Sequence, residues 1–148
     1  MVKILLALSS ARPNNSFKGN NNRTDFRPLN SGVRPMKSDR TAALNDLVTL
    51  SRPLPDVLGD LRVFGWDSAD LLVTLTPSHI ASVLNRFLCT ELDGSVVENW
   101  ANAIEGRDDI DYSTPQGVPL AIYELANPLL TQPLTRQSAQ QLVARLLA

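Results

Sequence analysis

The chain has 148 residues, 43% of them hydrophobic, and fourteen Lys and Arg against fifteen Asp and Glu leave a formal charge of -1. That length is one ordinary domain, and that apolar share belongs to a chain that folds rather than one disordered throughout. One cysteine excludes an internal disulfide, one histidine beside it excludes a zinc cage of the usual kind, and no apolar run reaches the roughly 18 residues of a membrane span.

The near-neutral total hides two unlike parts. Residues 1–35 carry Lys3, Arg12, Lys18, Arg23, Arg27 and Arg34 against Asp25 alone, a balance of +5. Residues 36–148 carry eight basic and fourteen acidic side chains, a balance of -6. The first part also holds Asn14-Asn15, Asn20-Asn21-Asn22, Pro13, Pro28 and Pro35, with neither a strand nor a helix period between Arg12 and Pro35. Such a segment buries too little apolar surface to offset its ordering entropy, so a disordered arm is expected there. Its charges are scattered and form no phosphate-gripping motif. The start, Met1 to Ala11, has the ingredients of a secretory signal, but its apolar core runs only from Ile4 to Leu8. That is short of the roughly 7 to 15 residues of a signal core, so a cytoplasmic protein is expected. Met36 opens a chain of ordinary character, which makes residues 1–35 either an arm or an extension ahead of the native start.

From residue 36 onward the pattern turns helical. Ser38 is an N-cap candidate, followed by Asp39 in a first turn and by a stripe of Leu44, Leu47, Val48 and Leu50 that Pro53 stops. Pro55 opens a short helix with Val57, Leu58 and Leu61. Phe64 to Ser68 reads as a turn, and Leu71 to Leu75 suits strand or helix equally. Thr76-Pro77 is a capping hydroxyl before a proline at the first helical position, and Ile80, Val83, Leu84, Phe87 and Leu88 follow at helical spacing. After Asp93-Gly94, Ser95 and Glu98 have the spacing of a capping box. Val97, Trp100, Ala101 and Ile104 then mark one helix face, which Gly106 can close in the left-handed conformation. Trp100 is therefore expected in the core. Pro119 starts a helix that ends at Asn127-Pro128, and Thr135 caps a last one bearing Ala139, Leu142, Val143, Leu146 and Leu147. The expected fold is all-α: a small bundle of five or six short helices.

The densest charge is Glu105-Gly106-Arg107-Asp108-Asp109-Ile110-Asp111. Clustered carboxylates suit a hard cation, and Asp109, Asp111 and Ser113 begin like an EF-hand loop. Thr114 and Leu120 then stand where that loop requires glycine and glutamate, so no metal site is expected. Arg107 is expected to pair with a neighbouring carboxylate and tie the helix end to the next loop. Glu105, Asp108, Asp109 and Asp111 are left as a candidate partner-binding face. His79 has no serine or cysteine partner nearby, and Cys89 reads as an inert, partly buried thiol. A helix-turn-helix made of 77–91 and 96–105 would present Glu98, Glu105 and three aspartates to phosphate, so no nucleic acid is expected on the folded domain.

The strings Trp66-Asp67-Ser68, Val97-Glu98-Asn99-Trp100-Ala101-Asn102, Ile104 to Ile110 and Glu124-Leu125-Ala126-Asn127-Pro128 resemble a family of small uncharacterised bacterial helical proteins. The resemblance covers roughly residues 60–148 and implies no activity, catalytic residue or cofactor. Small acidic helical bacterial proteins commonly act on other proteins, immunity proteins among them, which is analogy of type. The expected function is a non-catalytic, immunity- or antitoxin-like domain that binds a basic protein through its acidic face. The alternative is a small metal-dependent hydrolase using the carboxylates of 105–111.

Removing residues 1–35 should leave the melting temperature within a few degrees of the full chain, since that segment offers no periodic apolar face to a core. A larger fall in a thermal scan would show that the segment packs.

Overall fold

The apolar stripes of the sequence close on one another in a computed structural model that describes residues 37–113 and 117–148, with side chains from Asp39. The basic segment 1–35, and the disorder expected of it, lie outside the described residues, as does Thr114. Among the described residues there are six α-helices: α1 (Lys37–Thr49), α2 (Leu54–Leu61), α3 (Pro77–Leu88), α4 (Gly94–Ile104), α5 (Val118–Ala126) and α6 (Arg136–Leu146). A 3-10 turn, Arg62–Phe64, follows α2. Leu71 to Leu75 resolves as extended chain, in which β1 (Val73–Thr74) pairs parallel with β2 (Ile110–Asp111), Val73 facing Ile110. Helix α1 packs on α2, α3 on α6 and α4 on α5. Their buried faces meet in one core that includes Leu44, Leu47, Ile80, Leu84, Trp100 and Ile122.

Helix ends show where local chemistry decides and where it is overruled. Thr76 caps α3 as expected, and its partner is His79: the Thr76 hydroxyl accepts from the His79 N–H, while the Thr76 N–H donates to His79 Nδ1 at 3.1 Å. Thr135 and Ser138 make the same reciprocal cap on α6. The box expected from Ser95 and Glu98 does not form. Asp93 is extended (φ -79°, ψ 154°), α4 begins at Gly94, and Ser95 already lies inside the first turn. An N-cap side chain must sit on a non-helical residue, so Ser95 is two positions too late. Likewise α1 starts at Lys37, which places Ser38 inside the helix.

Nor does Pro53 stop α1. The helix ends four residues earlier, at a Schellman turn with Leu50 in the left-handed region (φ 48°). Leu50 N–H donates to Leu47 O and Ser51 N–H to Asp46 O, both at 3.2 Å. Helix α3 ends the same way at Thr90 (φ 61°), with Thr90 N–H on Phe87 O and Glu91 N–H on Arg86 O. Arg86 links the two turns: Nη1 donates to Leu50 O at 2.7 Å and Nε to Glu91 at 2.9 Å.

Trp100 is fully buried, and its indole N–H donates to Leu47 O at 2.7 Å. It therefore fills the core and also satisfies a carbonyl in the last turn of α1. Trp100→Ala should cost about 3–5 kcal/mol in a denaturant titration, much of a small domain's stability. Near-normal stability would show that the cavity collapses and that α4 is held by other contacts.

Candidate functional site

The segment 105–109 acquires its shape from one turn. After α4, Glu105 (φ -58°, ψ 126°) and Gly106 (φ +79°) form a type II turn in which Arg107 N–H donates to Ile104 O at 3.2 Å. A Cβ on Gly106 would meet nothing within 4 Å, so glycine is required for its positive φ and not for space. The turn sends Arg107 inward. Its Nε and Nη2 grip Asp109 Oδ1 and Oδ2 at 2.8 and 2.9 Å, in the bidentate geometry that suits a guanidinium.

Arg40, one turn into α1, closes the other side. Its Nε and Nη2 donate to Asp109 Oδ2 at 2.8 and 2.6 Å, while Nη1 and Nη2 reach Phe64 O and Asp67 O, each at 3.2 Å. The Asp109 side chain is 0% exposed, and Arg107 is 5% exposed. Burial alone would push the Asp109 carboxyl up, but hydrogen bonds from Arg107 and Arg40, together with their charges, hold it below the usual carboxylate value. The Asp109 carbonyl in turn accepts from Leu72 N–H at 2.8 Å. Above the cluster, the Trp66 indole lies with its centroid 5.0 Å from the Arg107 guanidinium carbon, and the residue is 55% exposed. One aspartate thus pins the loop 62–72 from beneath and leaves an indole on its outer side.

The expected acidic face is divided by this arrangement. Asp108 is exposed. Glu105 is half-buried and accepts from Asn127 Nδ2 at 3.3 Å through either oxygen. Asp111 is half-buried and accepts from Ser113 N–H and Oγ. Asp109 does not belong to any surface: two arginines draw it inside, so replacing it with its neighbours would unsettle the fold as well as the charge. Arg107 does tie the helix end to the following loop, and Trp100 is in the core. Among the described residues, no three His, Cys, Asp or Glu side chains are arranged to hold one cation. His79 is occupied as a helix cap, and burial holds its imidazole below the ordinary value. Cys89 is exposed instead of partly buried, because α3 stops at Leu88 and Cys89 turns off the stripe as its C-cap (φ -82°, ψ 8°).

Sequence reasoning missed Arg40, which lies 69 residues from Asp109, and it passed over Trp66. The second had a readable signal: a large aromatic in a glycine-containing turn has no helix or strand face on which to be buried.

Asp109→Asn should cost about 3–5 kcal/mol, because it leaves buried guanidinium charge uncompensated. Exposed Asp108→Asn should stay within about 0.5 kcal/mol of the parent. Since the folded value of Asp109 is depressed, its contribution is present above the ordinary carboxylate pKa of about 3.9 and is lost as pH falls through the lower folded value. The fall in stability on the acid side should therefore be shallower in Asp109→Asn than in Asp108→Asn, measured by urea melts across that range.

No family model, curated protein or solved structure matches the chain.

Proposed function

We propose that the domain is a non-catalytic, cytoplasmic binding protein of the immunity or antitoxin kind, and that a basic protein partner meets it where the 105–108 turn adjoins the turn at 127–130. The resemblance of its Trp100 and Arg107 segments to small bacterial helical proteins belongs to this reading and adds no chemistry. The observation that carries it is a pair of displayed leucines beside an acidic turn. Helix α5 ends at Ala126, and the next turn closes through Leu130 N–H and Thr131 N–H on Asn127 O. It leaves Leu129 99% and Leu130 75% exposed. Asn127 also holds Glu105, which brings that apolar pair next to the acidic turn. Leucines in that position add nothing to folding, whereas covering one against a partner is worth about 1.5–3 kcal/mol.

Charge supports the same direction. Arg40 and Arg107 are taken up by Asp109, Arg52 by Asp46 and Asp60, Arg86 by Glu91, and Arg145 by Glu124. Asp56, Asp67, Asp93 and Asp108 are exposed and make no ion pair among the described residues. A surface of that sign steers a basic partner and loses its reach as salt rises. Among the described residues no helix is long and apolar enough to cross a membrane.

The test uses the immobilised protein to retain partners from its host lysate, followed by association and dissociation rates on the retained protein. Asp108→Asn should slow association, and so should about 1 M salt, where the screening length is about 3 Å. Leu129→Ser with Leu130→Ser should speed dissociation while the circular dichroism stays unchanged. A complex indifferent to salt and to both variants sinks the reading. Cation-dependent hydrolysis that disappears with Asp108→Asn would replace it with a hydrolase.

A further inference from the structure

We infer that the cavity beneath Trp66 is a binding pocket for a carboxylate carried on a flat apolar body. It is lined by Leu58, Leu61, Arg62, Gly65, Trp66 and Arg107 and has a volume of about 310 Å³, at the lower end of the range of small-ligand pockets. That is roughly ten times the liquid volume of a water molecule, enough for one ring and its acid group.

Charge points to the ligand. Arg40 and Arg107 share a single carboxylate, Asp109, so the cluster carries one guanidinium charge more than its acid neutralises. Arg62 lines the same cavity, is exposed, and makes no ion pair among the described residues. Two cations thus converge on one small cavity in a domain whose net charge is -6. Arg107 spends Nε and Nη2 on Asp109, and Nη1 makes no hydrogen bond among the described residues. A guanidinium edge beside a second arginine suits a planar carboxylate, which accepts two parallel N–H bonds.

The remaining walls say what the acid is attached to. Leu61 is buried and Leu58 half-buried, and the indole of Trp66 forms a flat apolar side held in place by Arg107. An aromatic or compact aliphatic body would cover these surfaces, whereas a bare inorganic anion would leave them wet. Asp67 and Asp108, the chain neighbours of Trp66 and Arg107, add negative charge close by. That disfavours a dianion such as phosphate and leaves a monoanion as the better fit. The carboxylate can come from a free acid or from the C-terminus of a peptide ending in an apolar residue. The pocket stands without the partner proposed above, although the two share the turn that carries Arg107.

The experiment is a titration of the full chain followed by the two indole N–H resonances in a two-dimensional NMR spectrum. Phenylacetate is the free-acid probe, phenylacetamide its neutral isostere, N-acetylphenylalanine the peptide-end probe, and inorganic phosphate the bare anion. Phenylacetate should move the Trp66 resonance saturably, with millimolar or tighter Kd, and leave buried Trp100 in place. Arg62→Gln, at an exposed residue without an ion pair, should keep the fold and weaken binding about tenfold. Tighter binding of N-acetylphenylalanine than of phenylacetate assigns the peptide end as the source, and weaker binding assigns a free acid. Equal binding of phenylacetamide or of phosphate overturns the inference, and so does the absence of a saturable shift with both carboxylates. Binding unaffected by Arg62→Gln overturns it too.

Discussion

The rest of the structure depends on one carboxylate. Asp109 receives four short N–H bonds from Arg40 and Arg107, and its own carbonyl starts the pairing between the chain at Leu72 and β2. Helix α1, the loop after α2, and the turn after α4 are therefore fixed relative to one another by a single side chain. Such a cluster is expensive to desolvate, and apolar replacements of equal volume are often no less stable elsewhere. Its distinctive effect here is positional. Arg40 spends its remaining N–H groups on Phe64 O and Asp67 O, two carbonyls of an irregular loop that has no ladder of its own. A core of leucines could cover that loop but could not hold its carbonyls.

The same device recurs at the helix ends. Trp100 donates to Leu47 O, Arg86 to Leu50 O and Arg136 to Leu88 O, so side chains from one helix repeatedly satisfy the last carbonyls of another. Carbonyls at a helix end lack the regular i+4 partner, although Leu47 O also accepts the Leu50 N–H of its own turn, and cationic donors suit the negative end of the dipole. Short helices with many ends need this, since each of the described helices spans between eight and thirteen residues. The left-handed turns at Leu50 and Thr90 are unfavourable for non-glycine residues, and the threonine is β-branched besides. Both turns are held by Arg86, which makes their strain affordable in that place.

What the sequence made legible was local. Thr76-Pro77, Thr135 and the positive φ of Gly106 depend on contacts within a few residues, and each has the conformation its chemistry implies. The periodic stripes of α3, α4 and α6 face the core, because a 3.6-residue pattern is decided by one face alone. Phe87, Leu88 and Val143 are only half-buried, however, and Leu147, past the last turn of α6, is exposed. Where two local signals competed, the one nearer the chain break prevailed: Asp93 before Gly94 displaced the box of Ser95 and Glu98. Asp109 was misplaced for a different reason. Aspartates in a run look alike, and the partner that selects this one for burial lies 69 residues away. No reading of spacing reaches that far. The pairing of Leu71 to Leu75 with β2 was hidden likewise, since a parallel partner cannot be adjacent in sequence.

The turn at Gly106 joins both functional proposals through its alternation. Arg107 and Asp109 point inward and are buried, while Asp108 between them is exposed. Asp108 and Asp109 form a turn just ahead of β2, and that turn sorts charge by depth. The acid that faces water is the one the proposed partner reading uses, and Arg107 of the buried pair lies under the Trp66 indole. Two surfaces of different character are consequently built on one five-residue segment. Glycine at 106 sets the phase: any residue that could not hold φ +79° would have to shift the register by which Arg107 reaches Asp109. The outward and inward roles would then be disturbed together. The dense charge that marked this segment in the sequence is thus two interleaved sets, an outer acid exposed to solvent and an inner pair of which Arg107 alone lines a cavity.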